Sequence, residues 1–120
     1  MRSASLVTVA IAVAVSATPA PGEFRQVRSE RDYMERVAGR TVVTAGAALR
    51  IGRDWTFAGT LADGTPVTGA WTWSGPWYCF NVVKDGDRSR TYCHEIWVDG
   101  SRMIVVPERG RGTPERATLR

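Results

Sequence analysis

The chain has 120 residues, a formal net charge of +4 and 43% hydrophobic residues. This length suits one small domain with a modest core and is too short for a nucleotide-binding domain. Acidic side chains interrupt the arginines along the sequence, so the basic charge does not gather into the patch typical of nucleic-acid binding. We therefore expect no nucleic-acid partner.

The N-terminal segment has the pattern of a secretory signal peptide. Arg2 precedes an apolar run from Leu6 to Val15, and Val15-Ser16-Ala17 matches the small-residue rule for signal peptidase. The sequence predicts a signal peptide over residues 1–17.

A short membrane anchor is the alternative for this segment. A spanning helix needs about 20 apolar residues, and Pro19 and Pro21 follow too soon for one. We therefore predict a periplasmic or secreted protein without a membrane span, in which residues 18–120 form a single small β-domain.

The stretch "FRQVRSERDYMERVAGR" predicts one short helix over Ser29–Ala38. Ser29 is a favoured N-cap, and Asp32 three residues later completes a capping-box pattern. Three apolar residues fall at helical spacing and form the face that we expect to pack on a sheet: Tyr33, Met34 and Val37.

Beyond Gly39, β-branched and aromatic residues alternate between glycine-containing turns, which is typical of an antiparallel meander. The predicted strands are Thr41–Val43, Leu49–Arg53, Trp55–Leu61, Pro66–Trp73, Trp77–Val83, Thr91–Val98, Met103–Val106 and Ala117–Leu119. The predicted fold class is mainly β: a small curved antiparallel meander or barrel with one N-terminal helix after the signal peptide.

The arginine-rich end "PERGRGTPERATLR", residues 107–120, stands apart from these patterns. We interpret it as a solvated end of the chain. The alternative is an arm that binds an anionic polymer at the cell envelope.

Hairpin symmetry predicts which aromatic residues share a face. A three-residue loop over Asp63–Thr65 places Phe57 opposite Trp71, and a loop centred on Gly75 places Trp71 opposite Cys79. A two-residue Asp-Gly loop is the alternative for the first turn, but burial of one face favours the wider loop. The predicted common face comprises Trp55, Phe57, Leu61, Trp71, Trp73, Trp77, Cys79, Cys93 and Trp97.

The two cysteines fit one hairpin centred on Gly86, which places Cys79 directly opposite Cys93. Exported domains with two cysteines favour a disulfide. The sequence predicts a Cys79–Cys93 disulfide.

The aromatic face predicts a core, a ligand pocket or both, since small barrels hold apolar ligands between such rings. Glu95 falls on this face opposite Trp77, where a carboxylate needs a partner. One interpretation is an ion pair with Arg53 or Arg109. The other is a ligand site with Trp71, Trp77 and Trp97 as walls and Glu95 as the polar anchor.

Candidate catalytic residues are few. His94 is the only histidine, and its expected neighbours are Tyr78 and Val106. His94 and Glu95 are adjacent in a strand and point to opposite faces, so they cannot share one site. The chain also lacks a recognisable metal-ligand set and a glycine-rich phosphate loop. We therefore expect no catalytic residue, no metal and no cofactor.

Five short motifs of the chain resemble those of a known protein family. "VAGR" at 37–40, "VTGAWTW" at 67–73, "YCF" at 78–80, "YCHEI" at 92–96 and "ERGRG" at 108–112 resemble a family of small exported alphaproteobacterial proteins of unknown function. Some members carry the transferred label "dihydrodipicolinate reductase". The resemblance implies an aromatic-Cys-Arg motif at the first cysteine, where this chain has Phe80. A true reductase of that class needs a nicotinamide-binding fold, for which this chain has neither the length nor the motif.

The sequence predicts an exported, non-enzymatic β-domain that binds a small apolar ligand or a protein partner in the envelope. A small enzyme of unknown reaction and an envelope-surface protein that binds anionic polymer through its arginine-rich end are the alternatives.

Overall fold

The structure is a computed structural model that describes residues 23–120, so the predicted signal peptide lies outside the described residues. The described chain forms ten strands and two short helices. Their bounds are β1 Arg25–Val27, α1 Glu30–Arg36, β2 Thr41–Val43, β3 Ala47–Ile51, β4 Thr56–Leu61, β5 Pro66–Ser74, β6 Trp77–Lys84, β7 Asp87–Arg88, β8 Tyr92–Asp99, β9 Arg102–Val106, α2 Pro107–Gly110 and β10 Glu115–Leu119. Neither helix has the length and hydropathy of a membrane-spanning helix.

Eight of these strands close into an antiparallel barrel. Strands β2 to β6 form a meander, β8 pairs with β6, and β9 and β10 follow in order. The barrel closes where β10 pairs with β2. β1 adds to β8 at Ile96–Val98, beyond the point where β6 pairs with it, and β7 pairs only with the end of β6. The predicted mainly β class is confirmed.

Helix α1 covers one end of the barrel, here called the helix end. Its N-cap is Ser29, whose Oγ accepts a hydrogen bond of 3.1 Å from the backbone N–H of Asp32, as the capping pattern predicted. Tyr33 and Val37 are fully buried against the strands, and the Tyr33 ring meets the Trp71 ring edge-on at 5.0 Å. At the opposite end, called the open end, the described part of the chain has one helix, the four-residue α2, which connects β9 to β10.

The turn between β4 and β5 is a three-residue loop, but it spans Ala62–Gly64, because the backbone N–H of Leu61 donates to the carbonyl of Thr65. Phe57 therefore pairs with Gly69, two residues from the predicted partner Trp71. Because side chains alternate with a period of two, this shift leaves Phe57 and Trp71 on the same face. Both are buried.

The predicted register of β5 with β6 is wrong by one residue. Trp71 pairs with Phe80, and Thr72 pairs with Cys79, because Gly75-Pro76 makes a two-residue turn in which Gly75 has φ 61°. A shift of one residue sends a whole strand to the other face. As a result Tyr78 lies inside the barrel, while Cys79 lies outside it.

The predicted sharing of one face by all five tryptophans is therefore wrong. Trp71 and Trp73 are on the inner face of β5, whereas Trp77 and Trp97 are on the outer faces of β6 and β8. Trp55 precedes β4, has φ 66° and is 47% exposed.

The arginine-rich end of the chain is also not a solvated tail or a free arm. Its last part is β10, a barrel strand that pairs with β9 and β2 and buries Ala117 and Leu119 inside. The alternation of small or apolar residues with polar ones is typical of a strand with one buried face. Arg116 and Thr118 occupy the exposed positions between them.

Candidate ligand-binding cavity

The barrel contains a cavity of about 220 Å³. It is lined by Tyr33, Val42, Thr44, Ala47, Leu49, Ile51, Phe57, Tyr78, Phe80, His94, Ile96, Met103, Val105 and Glu115. The lining residues near α1 are buried, whereas those at the opposite end, such as Thr44 and Ala47, are partly exposed. The cavity therefore has a floor at the helix end and a mouth at the open end.

The walls are apolar because the inner face of each strand carries an aliphatic or aromatic side chain. Leu49 and Ile51 of β3 face the cavity beside Val42 of β2, with which Leu49 pairs. Glycine is needed at position 69, because a Cβ there would overlap the Phe57 ring. The Phe57 ring thus lies against the β5 backbone, which is a typical reason for glycine within a strand.

Two tyrosines form the floor. Tyr33 of α1 and Tyr78 of β6 stack with ring centroids 4.6 Å apart, and both are almost fully buried. Burial raises the pKa of both phenols well above the usual value, and the neighbouring Tyr78 raises the pKa of Tyr33 further. Both hydroxyls are therefore protonated at neutral pH.

His94 and Glu115 are the other two titratable side chains that line the cavity. His94 pairs across the sheet with Tyr78, as predicted, and the Phe80 ring meets the imidazole edge-on at 4.8 Å. Burial lowers the pKa of His94, so the imidazole is neutral at pH 7. Glu115 begins β10 and is exposed. The other neighbour predicted for His94 is wrong, since Val106 pairs with Glu95.

The four residues of the predicted ligand site do not form one site, because Trp71 lies apart from the other three. Trp71 is buried in the core at the helix end, where its indole N–H donates to the carbonyl of Gly52 at 3.2 Å. Trp77, Glu95 and Trp97 lie on the outer surface of the barrel, as the register of β6 and β8 requires. Any ligand role for these three residues stays a prediction, separate from the cavity.

Glu95 has an indole as its partner. The Trp97 Nε1–H donates to Glu95 Oε1 at 2.7 Å, and the carboxylate packs against the turn of α2, where a Cβ on Gly110 would lie 2.6 Å from Oε2. The predicted ion pair with Arg53 or Arg109 is not among the ion pairs of residues 23–120.

The α2 turn has an unusual backbone. Glu108 and Arg109 both have φ 55°, and Gly110 has φ 87°, so three successive residues are left-handed. Left-handed backbone is costly for residues with a side chain. The turn lies beside a small outer pocket of about 170 Å³ lined by Arg90, Thr91, Cys93, Glu108, Arg109 and Arg111.

The disulfide lies on the same outer surface. Cys79 and Cys93 pair directly across β6 and β8 and are bonded to each other, which confirms the predicted disulfide. Disulfides persist in oxidising compartments, so this bond is consistent with a location outside the cytoplasm.

None of the four predicted ligand-site residues lines the cavity, and the predicted register assigned four of its lining residues to the outer face: Tyr78, Phe80, His94 and Ile96. The difference arises because the predicted loop at Gly75 is one residue longer than the observed Gly75-Pro76 turn. The Gly-Pro dipeptide was the available signal, since glycine at the first central position favours a two-residue type II′ turn. Among residues 23–120, no three histidine, cysteine or acidic side chains come together as a metal site would need.

Comparison of the chain with protein-family models, with curated proteins and with solved structures found no match. The resemblance drawn from the short motifs stays a prediction. The function is therefore argued from the geometry of the cavity.

Proposed function

We propose that the protein is an exported binding protein that holds a small, largely apolar ligand inside its barrel. The observation that carries the proposal is the cavity itself, which is open at one end and walled by aliphatic and aromatic side chains. An apolar cavity with a few polar groups is the usual composition of a small-molecule site. The predicted signal peptide and the disulfide support the exported location.

The cavity volume limits the ligand. A cavity of roughly 150 Å³ lined by aliphatic and aromatic residues stays dry and binds benzene. Scaling by volume, the 220 Å³ of this barrel suits a molecule of about nine non-hydrogen atoms. Ligand pockets of ordinary drug size are larger, about 300–1,000 Å³. We therefore propose a ligand no larger than a substituted single ring or a short branched chain.

The test is a titration followed by ¹H–¹⁵N NMR, with acetophenone and α-methylstyrene as probes of nine non-hydrogen atoms each. Saturable shifts are expected at the backbone amides of Ile96 and Val105, which line the cavity. Absence of saturable shifts with both probes contradicts the proposal.

A blocking variant assigns the binding to the cavity. Ala47→Phe places a ring on the inner face near the mouth, and it is expected to weaken binding at least tenfold while the barrel stays folded. Ala58→Phe is the matched control, because Ala58 is exposed on β4 and does not line the cavity. Equal loss of binding in both variants would assign the site elsewhere.

A further inference from the structure

We infer that the ligand is a neutral molecule with a hydrogen-bond acceptor, of the carbonyl or ether class, which the tyrosine hydroxyls at the cavity floor bind. The inference rests on the proposed function and specifies the ligand class of the same cavity. Tyr33 and Tyr78 carry it, because both line the cavity at its closed end and are only 1% and 7% exposed.

The two hydroxyl groups of this pair have too few hydrogen-bond acceptors around them. Each phenol has one O–H donor, and within residues 23–120 no backbone or side-chain group outside the pair accepts a hydrogen bond from either hydroxyl. When one hydroxyl donates to the other, the second O–H still lacks an acceptor. A buried donor without a partner is costly and rare in proteins. An acceptor atom on a ligand in the cavity would satisfy it.

The charges around the cavity favour a neutral ligand. The titratable side chains that line it are the two tyrosines, His94 and Glu115. The tyrosines are protonated and His94 is neutral at pH 7, while Glu115 at the mouth is an acid. No lysine or arginine of the described residues lines the cavity, so a carboxylate or phosphate on the ligand would be buried without a counter-charge.

The apolar walls restrict the rest of the molecule. Between floor and mouth, the ligand meets side chains such as Leu49, Phe57 and Ile96, which offer it no polar group. One acceptor at the deep end and an apolar remainder therefore match the cavity. Small aromatic or branched ketones, aldehydes, esters and ethers belong to this class.

The experiment compares acetophenone with α-methylstyrene, which has nearly the same shape and replaces the carbonyl oxygen by a CH₂ group. The measured quantity is the ratio of their dissociation constants, because the ratio cancels the shared contribution of the ring. The variant is Tyr33→Phe/Tyr78→Phe, in which both donors are removed so that neither tyrosine can substitute for the other. We expect the ratio to shift about five- to tenfold in favour of α-methylstyrene, the worth of one hydrogen bond.

The double variant is expected to fold, because replacing both members of a buried polar pair by apolar groups of the same shape is nearly neutral. Tyr92→Phe is the matched control. Its hydroxyl belongs to a ring that packs on Phe80 and beneath Arg90 and does not line the cavity, so the ratio should equal that of the wild type.

A second measurement needs no variant. The infrared carbonyl band of acetophenone bound to the wild-type protein is expected at lower wavenumber than in hexane, because a hydrogen bond weakens the C=O bond. A ratio that does not change in the double variant, or a hexane-like band, overturns the inference while the proposed function stands. Failure of both probes to bind the wild type overturns both.

Discussion

Trp55 holds a left-handed backbone conformation in the loop between β3 and β4. The carboxylate of Asp54 accepts hydrogen bonds from the backbone N–H and the hydroxyl of Thr56, and the carbonyl of Trp55 accepts one from Trp71. These contacts fix the loop around a residue with φ 66° and a side chain that is 47% exposed. The conformation disfavours a bulky residue, since a Cβ in this region crowds the following carbonyl.

Substitution of Trp55 measures the free-energy cost of its left-handed backbone conformation. Trp55→Gly is expected to be about 1 kcal/mol more stable than Trp55→Ala, because both remove the same ring but only glycine adopts this φ without a steric cost. Urea unfolding followed by circular dichroism gives the free energies. Equal stabilities of the two variants would show that the loop relaxes without strain.

His94 should make the protein less stable in mild acid. Burial holds the pKa of His94 in the folded protein below its usual value of about 6.5, so the unfolded chain binds the proton more readily. Stability therefore falls as pH drops below about 6.5 and approaches the folded pKa. His94→Gln cannot titrate, so its melting temperature should change less between pH 7 and pH 5 than that of the wild type. Parallel slopes for the two proteins would contradict the assignment.

At the scale of elements, the hairpin of β6 and β8 depends on its disulfide. Cys79 and Cys93 are separated by 14 positions, and closing a loop of about 15 residues is worth about 3 kcal/mol in the chain-entropy model. The variant Cys79→Ala/Cys93→Ala should lose about this much free energy of unfolding, as measured in guanidinium. Reduction of the wild type serves as the control and should have a similar effect. A thiol count of two on the native protein would rule out the bond.

The elements also show how far the sequence predicts this site. The Cys79–Cys93 pairing followed from symmetry about Gly86, because both partners lie in one hairpin with a recognisable turn. The neighbouring turn at Gly75 was assigned one residue too many, and this single error moved Tyr78 out of the cavity. Side chains alternate between the two faces of a strand. An error of one residue in a turn therefore assigns every side chain of the following strand to the wrong face, even where the bounds of that strand are predicted correctly.

Two further elements lacked a local signal. β1 is three residues long and is not among the predicted strands, and it pairs with the edge that β8 presents beyond β6. The left-handed turn at Glu108 and Arg109 contradicts the preference of both residues, so tertiary packing against β8 decides it. Propensity and pattern cannot predict conformations that depend on a distant partner.

At the scale of the whole molecule, the size of the cavity predicts that NADPH does not bind. A dinucleotide is several times larger than the roughly nine-atom molecule that fits 220 Å³. Within residues 23–120, no glycine-rich turn between a strand and a helix is available to receive its pyrophosphate. Titration with NADPH should give no saturable quenching of tryptophan fluorescence. Saturable binding at micromolar concentration would contradict this and would revive the reductase label.

The sequence did not predict whether the curved sheet closes into a barrel. The meander from β2 to β6 followed from local turns, but a curved sheet and a closed barrel share the same turns. The difference lies in the pairing of β10 with β2, two strands at opposite ends of the described chain. The sequence predicted a strand at Ala117–Leu119, which lies within β10, but it did not predict that this strand pairs with β2.

That same pairing also determines when the protein can fold. Thr41 and Arg120 exchange two backbone hydrogen bonds of 2.9 Å each, so the barrel cannot close before the ribosome has made residue 120. Until then β2 and β9 each present an unpaired edge, and contacts so distant in sequence form slowly. In a nascent chain that lacks residue 120, the barrel is therefore still open. If the protein is exported as proposed, this delay keeps the polypeptide in a form that a translocation channel can thread.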